Sequence, residues 1–186
     1  MTYTELVAAR RSIRKFLPQP VSDEQIRQLL QWGHAAPSAG NLCPWEFILI
    51  RSEAGKRAVT DATFCGNQET GTGRQEWILS APVVIAVCSN EDRIRARYGN
   101  TGIWPALSYL DCSACIENIL LGAVELGRGS CYVSGFREPE LKRALALPEH
   151  VRPIALLPVG YPALTGHARP KPDLDTLLHL ESYSPA

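Results

Sequence analysis

Three features of this 186-residue sequence predict an α+β fold. Residues 106–126 form one long apolar stretch with helical periodicity, roughly 30 Å at the usual rise per residue. Residues 45–51 and 82–88 are short and apolar throughout, the second rich in β-branched residues, as buried strands are. The predicted order of elements is α, α, β, β, α, β, α, β, which lacks the regular alternation of a doubly wound parallel sheet.

Taken in order, residues 3–9 suit a short helix and residues 22–31 a better one. Ser22 is its candidate N-cap, Asp23 and Glu24 occupy the first turn, and Gly33 is expected to end it. Residues 36–41 read as a loop, followed by the strand at 45–51. Residues 66–73 are polar and glycine-rich, a surface loop, ahead of the central strand at 82–88. The helix at 106–126 should be the spine of the fold. On it Ser108, Asp111, Cys115, Asn118, Gly122 and Glu125 fall at three- and four-residue spacings on one seam. That seam faces a partner or a polar ligand, or else is one solvated edge of a buried helix. Residues 127–129 end the helix, 131–136 return as a strand, 139–147 form a short helix and 152–159 a last strand. After a turn at 160–162 the chain is an extended tail with a short helix near 175–180.

A composition of 45% hydrophobic and 20% charged residues fits one globular domain over residues 1–186. The longest apolar run, residues 81–88, is far short of the ~20 residues of a membrane helix, and no secretory signal is recognisable, so a cytoplasmic location is expected. The six cysteines, Cys43, Cys65, Cys88, Cys112, Cys115 and Cys131, read as free thiols. Nineteen basic and nineteen acidic residues give a net charge of zero. The molecule therefore has no general attraction for nucleic acid or anionic lipid, and any anion site must be local.

The densest charge feature is Arg10, Arg11, Ser12, Ile13, Arg14 and Lys15. On an extended chain Arg10, Ser12 and Arg14 share one side and can converge on a phosphate. The bland alternative is a basic helix end that complements the helix dipole. Arg169 and Lys171, stiffened by Pro170 and Pro172, form a second cationic cluster in the tail. Ser38 and Asn41, with Asn67 and Gln68, supply hydroxyl and amide groups able to read the edge of a heterocycle, though singly they are ordinary turn residues. The Cys112/Cys115 pair lies inside a predicted helix without a second pair at metal spacing, so no metal site is expected. The four histidines are scattered, and neither a GxSxG nor a complete dinucleotide or P-loop fingerprint is present.

In sum, the sequence resembles the nitroreductase family of FMN-dependent oxidoreductases along nearly its whole length. The resemblance rests on Arg10 to Phe16, on Ala36-Pro37-Ser38-Ala39-Gly40-Asn41 with Pro44-Trp45, on Gly66-Asn67-Gln68, on Ala81 to Val84, on Gly129 to Phe136 and on Gly160-Tyr161-Pro162. It implies a central mixed β-sheet flanked by helices, a long buried central helix and an obligate homodimer with FMN at the interface. By position, Arg10, Arg11 and Ser12 would hold the phosphate end, closed over by Arg169 and Lys171. Asn67 and Arg14 would meet the pyrimidine edge, where Arg14 is the candidate for tuning reduction. Ser134 and Gly135 would offer backbone amides to the ring, and Pro37, Ser38, Ala39 and Asn41 would come from the neighbouring subunit. The implied reaction is ping-pong transfer from NADH or NADPH to a nitroaromatic, quinone or enone. A flavin carrier without turnover is the alternative. Nucleic-acid binding through the basic run is disfavoured by the neutral total charge.

Overall fold

The computed structural model describes residues 1–66 and 73–183. Helices α1 (Tyr3–Ala9) and α2 (Asp23–His34) begin at Thr2 and Ser22, whose hydroxyls accept from the N–H groups of Glu5 and Gln25 while those side chains bond back to the caps. These reciprocal pairs satisfy amides that the first helical turn leaves without partners. Gly33 does not end α2. It lies inside the helix, packed on Ile119 and Cys115, so tertiary packing carries the helix past a residue of poor helical propensity.

The strands β1 (Trp45–Ile50), β2 (Val83–Asn90), β3 (Gly129–Ser130) and β4 (Val151–Gly160) form a sheet in the order β1-β2-β4-β3. All of these neighbours pair antiparallel. The mixed character expected of the sheet is confined, among the described residues, to one parallel bridge between Ser12 and Ser130. The strand expected at 131–136 is not continuous. Its ladder stops where Ser130 faces Val159, next to Pro158, which brings no N–H to the sheet. Beyond that point only Val133 bridges Leu156, and Phe136 is drawn off to Thr63.

Alternation along the two central strands divides the core between both faces of the sheet. Val83, Ile85 and Val87 of β2, with Leu157 and Val159 of β4, pack on Leu29 of α2 and on Ile116 and Ile119 of α5 (Trp104–Glu125). Val84, Ala86 and Cys88, with Leu156, pack on Val59 of α3 (Glu53–Asp61), on Ile78 in a 3-10 turn, and on Leu141 of α6 (Glu138–Ala144). A further helix, α4 (Glu91–Tyr98), buries Ile94 alone, which is why its nearly all-polar sequence lacks a readable apolar period. The helix expected near 175–180 is instead a 3-10 turn at Leu174–Thr176.

By length and composition α5 could cross a membrane, although scattered polar residues break it into short apolar runs. Here it is the core helix between the sheet and α2. Its polar seam faces neither a partner nor solvent over most of its length: Ser108, Asp111, Cys115 and Gly122 are buried within the fold. Asn118 Nδ2 donates to the Trp32 carbonyl at 3.1 Å, tying the seam to α2.

Candidate cofactor site

After α1 the chain runs extended across the edge of β3. Ile13 N–H donates to the Ser130 carbonyl at 2.9 Å, and Ile13 and Phe16 turn inward against Ala81 and Trp77. Burying those two apolar residues leaves Ser12 and Arg14 exposed on the opposite side. The alternation expected from the sequence is therefore present; the basic run starts at the end of α1, where Arg10 N–H donates to Leu6 O at 3.0 Å, and leaves it as an extended arm.

The tail then zips back along this arm. Leu17 N–H donates to Tyr161 O at 2.8 Å, Phe16 faces Pro162, and Ala163 N–H donates to Lys15 O at 2.9 Å. Arg128 stacks over the Tyr161 ring at 3.6 Å and anchors the turn from which the tail departs. At Gly166 the two segments touch so closely that a Cβ would lie 2.6 Å from Arg11 Cβ. Antiparallel pairing thus delivers residues 167–171 over residues 10–12.

The result is a cleft of about 780 Å³ lined by Arg10, Arg11, Ser12, Arg14, His167, Arg169 and Lys171, with Val7, Ala8, Gly166, Ala168 and Pro170. Five cations meet there in a chain of zero net charge, with no carboxylate among the described lining residues. Arg11 donates to Arg10 O at 2.7 Å, and Arg10 reaches Glu117 at 3.9 Å, a loose ion pair that leaves donors for a ligand. Crowded cations without matching carboxylates repel one another, and a dianion relieves that repulsion. The donor set fits a phosphate monoester.

Arg14 also borders a second cavity, of about 370 Å³, together with Phe64, Cys65, Gly66, Gln75, Trp77, Tyr132, Ser134 and Gly135. Its guanidinium lies 5.8 Å from the Trp77 ring centroid. Gln75 Nε2 donates to the carbonyls of Phe64 at 3.0 Å and Gly135 at 3.2 Å, so both walls are held by one amide. A polar-walled cavity that shares Arg14 with a cationic cleft offers room for a ligand with a phosphate at one end and a polar-edged group at the other.

Of the residues singled out from the sequence, Arg10, Arg11, Ser12, Arg14, Ser134, Gly135, Arg169 and Lys171 line these two hollows, which share Arg14. Asn67 lies outside the described residues. Pro37, Ser38, Ala39 and Asn41 border neither hollow of their own chain and sit on the loop between α2 and β1. Gln75 and Trp77 were not anticipated. Nothing local distinguishes them, because their roles arise from contacts with Gly135 and Arg14, which lie 60 and 63 positions away in sequence.

Residues 7–161 match a family model described as the nitroreductase family. A protein of Methanothermobacter thermautotrophicus, provisionally described as an NADH dehydrogenase/NAD(P)H nitroreductase, is 31% identical, with 98% of this chain and 88% of that protein covered. The FMN reductase [NAD(P)H] of Bacillus subtilis is 25% identical over 93% of this chain and 71% of its own length. Among solved structures, a nitroreductase family protein from Clostridium novyi superposes with a TM-score of 0.75 at 28% identity, covering 87% of this chain and 86% of the other.

Proposed function

The chain belongs to the nitroreductase family, and from that premise we propose that it is an FMN-dependent, NAD(P)H-consuming oxidoreductase acting as a homodimer. The observation that carries the reading is the cleft itself: cations from both ends of the chain line one hollow that shares Arg14 with a polar-walled cavity. Relatives named FMN reductase and NADPH-flavin oxidoreductase support the same cofactor and donor.

Arg10, Arg11 and Ser12 grip the phosphate from the N-terminal arm, and Arg169 and Lys171 close on it from the tail. Guanidinium forks suit paired phosphate oxygens, whereas Lys171 contributes a point charge. Ser134 and Gly135 present backbone amides to the ring, and the family resemblance assigns the pyrimidine edge to Asn67, which lies outside the described residues. Arg14 places a cation against that edge, where negative charge gathers on reduction, and so favours the reduced state. Pro37, Ser38, Ala39 and Asn41 complete the site of the neighbouring subunit. When bound, FMN supplies the redox chemistry, accepting hydride from NADH or NADPH and passing electrons, in ping-pong fashion, to a nitroaromatic, quinone or enone.

The test is direct. Protein loaded with FMN should be yellow and should bleach within seconds on anaerobic addition of NADH or NADPH. Failure to take up FMN overturns the reading, and colour that resists bleaching identifies a carrier. Arg10→Ala removes a charge-assisted phosphate contact of about 2 kcal/mol, so FMN should bind roughly thirtyfold more weakly in equilibrium dialysis.

A further inference from the structure

The loop after α2 has a backbone that few sequences adopt unaided. Gly40, Asn41 and Cys43 take φ of 58°, 56° and 46°, and two of these are not glycine. Left-handed non-glycine residues persist where their surroundings hold them. The 3-10 turn at Ala39–Asn41 follows Ser38, the residue placed to cap it, yet Ser38 makes no capping bond. Its hydroxyl accepts instead from Cys43 N–H at 2.9 Å, closing the far end of the loop. Ala39 N–H, at the first position of the turn and out of reach of a capping side chain on Ser38, donates to Asp111 Oδ1 at 3.0 Å, across 72 positions of sequence.

Asp111 is an expensive residue to place there. It is 7% exposed on the core helix, its Oδ2 is buried without a partner, and Ser108 one turn earlier is equally unpartnered. A carboxyl in such a place weakens packing unless it performs a task that an apolar side chain cannot. The task visible in the structure is the cap on Ala39. From the opposite side, α4 holds the same loop: Arg93 donates to Cys43 O at 2.9 Å and Arg97 to Gly40 O at 3.4 Å.

We propose that Asp111 is a positioning residue that holds the 37–41 loop in the shape in which it completes the flavin site of the partner subunit. The inference rests on the flavin reading above. Asp111 therefore acts in trans, on the cleft it does not belong to, because the loop it caps borders neither hollow of its own chain. The acceptor atom matters rather than the charge: burial already pushes the carboxyl pKa up, and Oδ1 accepts from Ala39 N–H in either protonation state. Asp111→Asn should therefore retain FMN close to wild type, whereas Asp111→Leu should weaken it by roughly tenfold or more, the scale expected when a strained loop is released.

The decisive measurement is FMN stoichiometry, by absorbance, in differently tagged mixed dimers of one Arg10→Ala and one Asp111→Leu subunit. If Asp111 acts in trans, one site pairs an intact cleft with an intact loop and the dimer holds one FMN, half the wild-type load. If Asp111 acts within its own chain, both sites are damaged and the dimer holds none, which overturns the proposal. Full FMN binding by the Asp111→Leu homodimer overturns it equally. Should Asp111→Leu not fold, Asp111→Ala takes its place in the same design. Wild-type protein that takes up no FMN overturns the flavin reading itself, an outcome separable from these.

Discussion

Arg14 differs from the other cations in the cleft because it borders both hollows and lies near an aromatic ring. Its role should accordingly be electronic more than adhesive. Arg14→Ala should keep most of the FMN that Arg10→Ala loses, but its flavin should reduce more slowly and at a lower midpoint potential. Arg14→Lys should recover part of both. Stopped-flow bleaching with NADH, together with a potentiometric titration, checks this. The thiols make a second contrast. Burial pushes the Cys88 and Cys115 pKa values up to about 12, and raises those of Cys112 and Cys131 as well, the latter despite nearby Arg14 and Arg10. Thiolate is the reactive form, so these four should stay silent at pH 8, and raising the pH within the native range should barely wake them. Titration of apoprotein with a disulfide reagent should find exposed Cys65 first and half-buried Cys43 more slowly, with all six reacting in denaturant.

At the scale of elements, the fold depends on how closely α2 approaches α5. A Cβ at Gly122 would run into the Trp32 ring and lie 3.3 Å from Leu29 Cδ2, so Gly122→Ala should overpack the joint. Set against the better helix propensity of alanine, the net loss should be about 1–2 kcal/mol, or about 2–8 °C in the melting temperature of the apoprotein followed by circular dichroism. An unchanged or raised melting temperature would mean that the helices part at no cost. Elements whose signals were local were legible in the sequence: α2 from Ser22 and its acidic first turn, β2 from its apolar run, α5 from its length. Missing from it were α3 and α4, since α3 is short with Gly55 inside it and α4 buries a single side chain. The strand expected at 131–136 has the right alternation, but a neighbour's proline interrupts its ladder, and no window around 131 contains Pro158. The candidate site divides in the same way. Arg10, Ser12 and Arg14 were readable as one side of an extended arm, while Gln75, Trp77 and Asp111 act through partners some 60 or more residues distant.

On the scale of the whole molecule, one chain leaves too much apolar surface uncovered. Leu110, in the second turn of α5, is 61% exposed, and Tyr109 next to it and Ile103 at the helix start are exposed too; α1 buries none of its residues, and in the tail Leu174, Leu177, Leu178 and Leu180 are all exposed. Large exposed apolar side chains gathered on a helix face mark surfaces that another protein covers. In the homodimer proposed above a second copy would cover this face, and it would also account for the 37–41 loop bordering neither hollow of its own chain: folding would then be complete in one subunit while the site is shared between two. The two facts are linked, and one substitution tests the link. Leu110→Lys lies on an exposed helix face, where a change should alter the stability of the single chain by no more than about 0.5 kcal/mol, but in a dimer it would bury an unpaired charge at the seam. The variant should sediment as a monomer, retain its circular dichroism spectrum and lose FMN, although every cation of the 10–14 and 169–171 clusters is untouched. A folded monomer that binds FMN as tightly as wild type would show instead that the arm and tail of a single chain make a complete site, and the face of α5 would need another explanation.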